Sequence, residues 1–246
     1  MAQQKIDYSW NDNPASLDEA YEDLKSESHQ NSDDNEQDLA TRHNLQITRR
    51  LFHMANGFVI ASLYLITFSH SQMVHLLGTV ACALYLVEQI RINYPETAAK
   101  LLPFTKLIMR AEEQLKESAM VPYMMAVLLT IITFPKHIAL VGIYTLAFAD
   151  PLSAMVGIKF GKHKLSPTRS VEGGAAFFFT TFFISMFILA GYSGGLTSSV
   201  FGVSLLLGIC CTLFDLVPLK IDDNLTIPLF TAAALWLICS VFGVYL

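Results

Sequence analysis

Seven apolar segments separated by polar connections dominate the sequence from residue 51 onward. Most are close to the length that a helix needs to cross a bilayer, and only the third is short, at about fifteen residues. They run over 51–68, 73–90, 120–134, 138–158, 174–191, 200–219 and 226–246. The pattern predicts an all-α, polytopic membrane protein with about seven transmembrane helices.

Cationic residues fall almost entirely on one side of this predicted bundle. Residues 42–50 and the connections after the second, fourth and sixth segments hold thirteen Lys and Arg, against Lys136 alone on the other side. Because short cytoplasmic connections carry an excess of Lys and Arg, we expect a cytoplasmic N-terminus and an external C-terminus. The mixture of apolar and charged residues over 91–119 could form an amphipathic helix on the cytoplasmic leaflet.

Composition agrees with a membrane domain that follows a polar tail. The 246 residues are 53% hydrophobic, with a mean hydropathy of +0.44. Residues 1–46 hold eleven acidic and three basic residues and few aliphatic ones, so we expect a disordered acidic cytoplasmic tail at 1–46 and a membrane-embedded domain at 47–246. The four cysteines lie in apolar runs without zinc-ligand spacing and are interpreted as core residues.

The connection after the fourth segment concentrates chemistry that a structural turn does not need. Asp150 directly follows an apolar run, where an ionised carboxylate is costly and usually functional, and Glu172 precedes the fifth segment. Gly157 and Gly161 let a backbone approach a ligand closely. The same stretch holds four cations: Lys159, Lys162, Lys164 and Arg169. Carboxylates, cations and glycines together are typical of a site for Mg²⁺ and a nucleotide or phosphate.

This connection admits two other interpretations. Cationic loops between membrane helices often serve only as topology signals. The sequence GIKFGK at 157–162 resembles a P-loop, but it has three residues between its glycines where a P-loop has four. His163 also stands where a P-loop has Ser or Thr, so the P-loop is rejected.

Further polar residues gather at the same predicted end of the bundle. Arg50 and His53 share one face of the first helix, where they could hold phosphate or a lipid hydroxyl, or act only as an interfacial anchor and a boundary histidine. Glu88 and Arg91 end the second helix, where they could belong to the same site or form only an ordinary charge pair at a helix end. Asp215 lies near the end of the sixth segment.

The turn IDDNLTIP at 221–228 is the most discriminating of these motifs. Asp222 and Asp223 are adjacent and point apart on any regular backbone, so we do not expect both to bind one ion. Asn224 can cap the seventh helix or donate to phosphate, and the stretch could also be only a solvated turn with a helix cap.

These motifs resemble those of the polyprenol kinase family, which comprises dolichol kinase, phytol kinase and CTP-dependent diacylglycerol kinase. The resemblance spans about residues 47–230. Phosphatidate cytidylyltransferases have a related loop, but their His-Gly-Gly and Asp-Arg-x-Asp signatures are absent from this sequence. Ala149 and Asp215 depart from the family pattern, which has Gly and Glu there. The matching motifs are Asp150-Pro151, Gly157, Phe160-Gly161-Lys162-His163-Lys164, Ser170, Glu172-Gly173, RRLFHMANG at 49–57, Glu88 with Arg91, and Asp223-Asn224-Leu225 before Pro228.

The resemblance implies a CTP-dependent kinase that phosphorylates a membrane-embedded alcohol (diacylglycerol, phytol or a polyprenol) at the cytoplasmic face. Its expected partners are the lipid and the nucleoside triphosphate, with no nucleic acid and with the oligomeric state left open. The alternatives are a cytidylyltransferase-like enzyme that makes a CDP-activated lipid and, less favoured, a small transporter. We expect a multi-pass location, in the cell membrane of a bacterium or the endoplasmic reticulum of a eukaryote.

The resemblance also assigns roles to individual residues. Catalytic roles fall to Asp150, His53 and Glu172, with His53 or Asp150 orienting the hydroxyl. The Mg²⁺ cofactor is assigned to Asp150 and Glu172, assisted by Asp215 or Asp223. Nucleotide and phosphate binding is assigned to Arg50, Gly157, Gly161, Lys162, Lys164, Arg169 and Asn224.

Overall fold

A computed structural model describes residues 50–94, 120–166, 169–217 and 221–243. These residues form helices joined by short connections. The only extended pairing among them is one isolated antiparallel bridge between Lys164 and Ser170. The helices are α1 (Arg50–Ile66), α2 (His70–Asn93), α3 (Met120–Thr133), α4 (Lys136–Tyr144), α5 (Asp150–Phe160), α6 (Val171–Ser193), α7 (Ser198–Asp215) and α8 (Asp223–Phe242), with a π-helical segment at Thr145–Ala149 between α4 and α5.

The chain is a multi-pass membrane protein with an all-α fold, which confirms the predicted fold class. Five of its helices are long and apolar enough to cross a membrane, counting α4, the π-helical segment and α5 as one continuous helix over Lys136–Phe160. α1 and α3 are shorter apolar helices. The count of seven spans and the cytoplasmic N-terminus stay predictions. The predicted tail at 1–46 and nearly all of the predicted amphipathic segment at 91–119 lie outside the described residues.

The helix over Lys136–Phe160 is the centre of the bundle. In its most apolar stretch 67% of the residues are buried within the protein, against 22% for α2 and 39% for each of α6, α7 and α8. Its buried side chains, which include Leu140, Ile143 and Leu146, form much of the hydrophobic core. Residues carried by this helix are therefore held on several sides.

A glycine allows α1 to lie directly against the π-helical segment. A methyl group at Gly57 would lie 2.5 Å from Ala147 Cβ and 2.9 Å from the Tyr123 hydroxyl. No side chain fits there without a shift of its neighbours. The contact fixes the position of α1 next to the residues that lead into Asp150.

The π-helical segment immediately precedes Asp150. A π turn inserts one extra residue into a helix, so the side chains after it point in a different direction from those of an uninterrupted α-helix. The sequence predicts one apolar segment over 138–158 in which Asp150 could cap a second, short helical piece before Pro151, but a π segment has no signature in a hydrophobic pattern. A helical piece does begin at Asp150, although no side-chain hydrogen bond caps it. The π-helical segment therefore sets the direction in which the Asp150 side chain points from the central helix.

Polar side chains cap four of the described helices. Ser69, Ser170, Thr197 and Asp222 each accept a hydrogen bond from a backbone N–H of the first turn of their helix. Asp222 therefore has the capping role that the sequence offered to Asn224. Asn224 is the second residue of α8.

Lys136, the cation that the sequence leaves on the opposite side of the bundle, has a structural role. Its Nζ donates to the carbonyl of Phe68, 3.0 Å away, just beyond the C-terminus of α1. The same ammonium lies 5.1 Å from the centre of the Tyr64 ring. A cation is stabilised near the C-terminus of a helix and over an aromatic ring. Lys136 therefore has a structural reason to lie on that side of the bundle, and it does not count against the orientation predicted from the other cations.

Candidate active site

A cavity of about 250 Å³ opens where α1, α5, α6 and the α5–α6 connection meet. It is lined by Arg50, Ser153, Ala154, Gly157, Ile158, Lys164, Arg169, Ser170 and Gly173. Three of these residues are cations that the sequence predicted to bind phosphate. Cations contributed by α1 and by the α5–α6 connection are therefore brought together around one small space.

Arg169 joins the cavity to the ends of α7 and α8. Its Nη2 lies 3.0 Å from Asp215 Oδ1 and 3.1 Å from Asp223 Oδ2. The Asp215 side chain is only 1% exposed, whereas that of Asp223 is 52% exposed. From the described residues, neither oxygen of Asp215 receives a hydrogen bond, so the ion pair is its main compensation for burial.

Asp150 is partly buried at the start of α5, within electrostatic range of both of these carboxyl groups. The charges that act on it come from Arg169 and Arg50 on the cationic side and from Asp223 and Asp222 on the acidic side. The structure thus brings Asp150, Asp215 and Asp223 into one neighbourhood beside the cationic cavity. Carboxylates next to cations around a pocket are an arrangement that can hold a phosphate ester and its counterion.

Glu172 faces the α5–α6 connection. His163 donates its backbone N–H to Glu172 Oε1 at 3.2 Å, and His163 Nδ1 lies 2.8 Å from the same oxygen. The backbone N–H of Val171 donates to the His163 carbonyl at 2.9 Å, which ties the same two segments together a second time. Glu172 therefore anchors the loop, and its predicted catalytic and metal-binding roles stay predictions.

The rest of the loop is closed by short local contacts. The backbone N–H groups of Leu165 and Ser166 donate to the Arg169 carbonyl at 3.0 and 3.2 Å, and Ser166 Oγ accepts from the Arg169 N–H at 3.1 Å. The bridge between Lys164 and Ser170 adds to this closure. These contacts hold Lys164 and Arg169 in place at the wall of the cavity.

The glycines of this region have a role that the sequence analysis did not foresee. A methyl group at Gly173 would lie 2.8 Å from the Ser153 carbonyl, and one at Gly157 would lie 3.1 Å from Ser170 Oγ. A methyl group at Gly161 would lie 2.8 Å from the same hydroxyl. These glycines let α5 and α6 cross closely, and Gly157 and Gly173 line the cavity as a result.

Eight of the predicted site residues are not among those that line the cavity, and His53 and Lys162 are two of them. The His53 ring packs edge-on against the Tyr123 ring with centroids 4.6 Å apart, one turn of α1 beyond Arg50. Lys162 is exposed and also lies outside the wall. The predicted roles of His53 and Lys162 stay predictions, since a bound ligand can extend beyond the cavity.

Ser153 is a cavity residue that the sequence analysis missed. It lies four residues before Gly157, so the two share one face of α5, and this helical spacing is the signal that could have identified it.

Glu88 and Arg91 form a buried bidentate pair, with Nε–Oε2 at 2.9 Å and Nη2–Oε1 at 2.6 Å, as the helix-end interpretation expected.

A metal site is not assembled among the described residues, where no three His, Cys, Asp or Glu side chains converge to hold an ion. The chemistry of the donors nevertheless suits Mg²⁺, which binds carboxylate oxygens. Asp215 has two oxygens that receive no hydrogen bond from the described residues, and Arg169 lies between it and Asp223. The guanidinium balances part of the negative charge of these carboxylates, and a bound Mg²⁺ would balance the rest.

Comparison with known proteins identifies the family. A CTP-dependent diacylglycerol kinase 1 of Eremothecium gossypii is 26% identical over 216 residues, which cover 79% of this chain and 67% of that one. An uncharacterised protein of Rickettsia prowazekii is 32% identical over 184 residues, which cover 74% of this chain and 88% of that one. A dolichol kinase of Schizosaccharomyces pombe is 30% identical over 92 residues, which cover 37% of this chain and 18% of that one.

The chain belongs to the polyprenol kinase family. It is therefore a lipid kinase, and so a transferase. No protein-family model matches the chain, and no solved structure matches it significantly. The family resemblance read from the loop and from the final Asp-Asn-Leu motif is confirmed.

Proposed function

We propose that the chain transfers the γ-phosphoryl group of CTP to the hydroxyl of a membrane lipid at the cytoplasmic face. The cavity lined by Arg50, Lys164 and Arg169, with Asp150 beside it, carries this proposal. Three cations are suited to a polyphosphate, and a carboxylate next to them is suited to a hydroxyl nucleophile. The name of the Eremothecium gossypii relative supports CTP as the donor.

Diacylglycerol is the lipid that we propose first. The relative named for diacylglycerol matches 79% of this chain, whereas the relative named for dolichol matches 37%. The longer match includes more of the helices that would surround a lipid. Phytol and polyprenols remain the comparison substrates for the test.

The cations would act mainly by holding and neutralising the transferred phosphates. Arg50 comes from α1, while Lys164 and Arg169 come from the α5–α6 connection, so phosphates bound among them would be held from both sides. Phosphoryl transfer needs little covalent chemistry from the protein, so fixed positive charge and alignment supply most of the catalysis. Arg169 also reaches Asp215 and Asp223, so it would couple phosphate binding to the acidic side of the site.

Asp150 would orient the lipid hydroxyl and accept its proton. Its position at the N-terminus of α5 is fixed by the most buried helix of the bundle. Asp215 and Asp223, with Asp150, would hold Mg²⁺, and when bound the ion would supply charge neutralisation for the triphosphate. His53, on the neighbouring helix, remains a second candidate for contact with the hydroxyl.

Label transfer tests the proposal directly. Membranes that contain the protein are given CTP labelled at the γ- or the α-phosphorus, together with diacylglycerol, phytol, a polyprenol or phosphatidate. We expect label from the γ-phosphorus in diacylglycerol. Label from the α-phosphorus would instead show a cytidylyltransferase, and label from neither position with any lipid would contradict both reactions.

A further inference from the structure

An apolar groove lies between α1 and α6, apart from the cationic cavity. Its volume is about 560 Å³. Phe58 and Leu65 are 50% and 40% exposed, so the groove opens sideways, toward the space that lipid occupies around a membrane protein. We call it the α1–α6 groove. Its defining residues are Phe58 and Leu65 of α1, Tyr144 of α4, and Ile184, Ile188 and Gly191 of α6.

The α1–α6 groove begins close to Asp150. Tyr144 precedes Asp150 by six residues, a distance of about 9 Å along a helix. Phe148 lies between them, and its ring contacts both Tyr144 and Phe58, with centroids 6.3 and 5.9 Å apart. One aromatic layer therefore separates the groove from the start of α5.

The groove and the cavity also share one face of α6. Gly173 lines the cavity, while Ile184 and Gly191 line the groove. Intervals of eleven and eighteen residues return to nearly the same direction on a helix with 3.6 residues per turn. The cavity and the groove thus follow one another along a single helix face.

We propose that the α1–α6 groove holds the hydrocarbon chain of the lipid whose hydroxyl is phosphorylated beside the cavity, an inference that rests on the proposed kinase function. Lipid tails are as apolar as the groove, so the hydrophobic effect contributes little to this binding. The groove acts by shape: it fixes the chain and thereby aligns the hydroxyl with Asp150.

The groove makes the reaction depend on chain length. Leu65 follows Arg50 by fifteen residues, or about 22 Å along α1, which is more than half the thickness of the hydrocarbon core of a bilayer. A chain of six carbons ends near the entrance of the groove, whereas a chain of eighteen carbons extends along it. The site is therefore selective for lipids with long chains.

Gly191 allows the groove to be filled without disturbing the fold. Nothing lies within 4 Å of a methyl group placed there, so Gly191→Leu meets no protein atom at that position. Gly202 on α7 is equally open and lies outside the groove, so Gly202→Leu is the matched control. Both substitutions replace a helical glycine by a better helix former.

The experiment compares dioleoylglycerol and dihexanoylglycerol as substrates, with γ-labelled CTP and purified protein in detergent micelles. In Gly191→Leu we expect the ratio of kcat/KM for the long-chain substrate to that for the short-chain substrate to fall on the order of tenfold, through misplacement of the hydroxyl. Gly202→Leu is expected to keep the wild-type ratio.

The outcomes distinguish failure of the groove proposal from failure of the proposed kinase function. Equal kcat/KM losses for both substrates, or no loss for either, would overturn the groove proposal while leaving the kinase proposal intact, and would mark the groove as a place for bilayer lipid. If the wild-type protein phosphorylates neither glycerolipid nor any other alcohol offered, the proposed function fails and the groove proposal fails with it.

Discussion

Arg169 Nη2 lies 3.0 Å from Asp215 Oδ1, and this carboxylate is buried to 1% exposure. The same nitrogen lies 3.1 Å from Asp223 Oδ2. One guanidinium group thus joins the loop that lines the cationic cavity to the ends of α7 and α8. It links the residues predicted to bind phosphate to residues predicted to bind metal.

Replacement of Arg169 is expected to reduce both stability and activity. In Arg169→Ala the buried Asp215 carboxylate loses its ion-pair partner, which costs about 3–5 kcal/mol in the free energy of unfolding. The CTP site also loses one of its cations, so KM for CTP should rise. Thermal unfolding in detergent and initial rates at varied CTP concentration measure the two effects.

The double variant Arg169→Ala with Asp215→Asn separates these effects. Removing the Asp215 charge should restore much of the stability, because no uncompensated carboxylate is then buried. Activity should stay low, since neither change returns a cation to the phosphates. Recovery of activity along with stability would show that Arg169 has only a structural role.

Asp150→Asn is expected to abolish most of the activity while leaving the protein folded in membranes. Loss of a positioned base or orienting carboxylate lowers kcat by roughly 10²–10⁴-fold. Asp222→Asn is the matched control, because asparagine caps a helix as well as aspartate does. Full activity of Asp150→Asn at the normal membrane level would remove Asp150 from the mechanism.

Gly57→Ala should destabilise the contact of α1 with the π-helical segment. The added methyl group would lie 2.5 Å from Ala147 Cβ, and overpacking of this kind costs about 1–3 kcal/mol. Adding Ala147→Gly makes room for the methyl group and should recover part of the loss. The equivalent change at Gly78 of α2, where nothing lies within 4 Å, should not lower the thermal midpoint. Equal midpoints for the wild type and Gly57→Ala would show that α1 has room to move.

The helices were predictable from the sequence because long apolar runs have few alternatives to membrane helices. Two cations of the cavity, Lys164 and Arg169, were predictable because they belong to a cluster of cations in the sequence, whereas Arg50 was a candidate because of its helical spacing from His53. The pairing of Arg169 with Asp223, 54 residues away, was not, since nothing local encodes which carboxylate a cation meets. The role of Gly173 at the crossing of α5 and α6 was not predictable either, because it depends on where α5 lies in the fold.

The function of Glu172 can be decided by two substitutions at one position. The structure supports an anchoring role, because the carboxylate accepts the His163 N–H and lies 2.8 Å from His163 Nδ1. The sequence supports Mg²⁺ binding. Glutamine keeps an oxygen acceptor but has no charge, whereas alanine has neither.

An anchoring role predicts that Glu172→Gln keeps most of the activity and that Glu172→Ala loses it through a higher KM for CTP, because the loop no longer holds Lys164 and Arg169 in place. A metal-binding role predicts equal losses in both variants and a higher Mg²⁺ concentration for half-maximal rate, because Mg²⁺ strongly prefers carboxylate ligands. Rates measured across a Mg²⁺ titration distinguish the two. We expect Glu172→Gln to follow the wild-type titration curve, since the carboxylate contacts the loop in the structure.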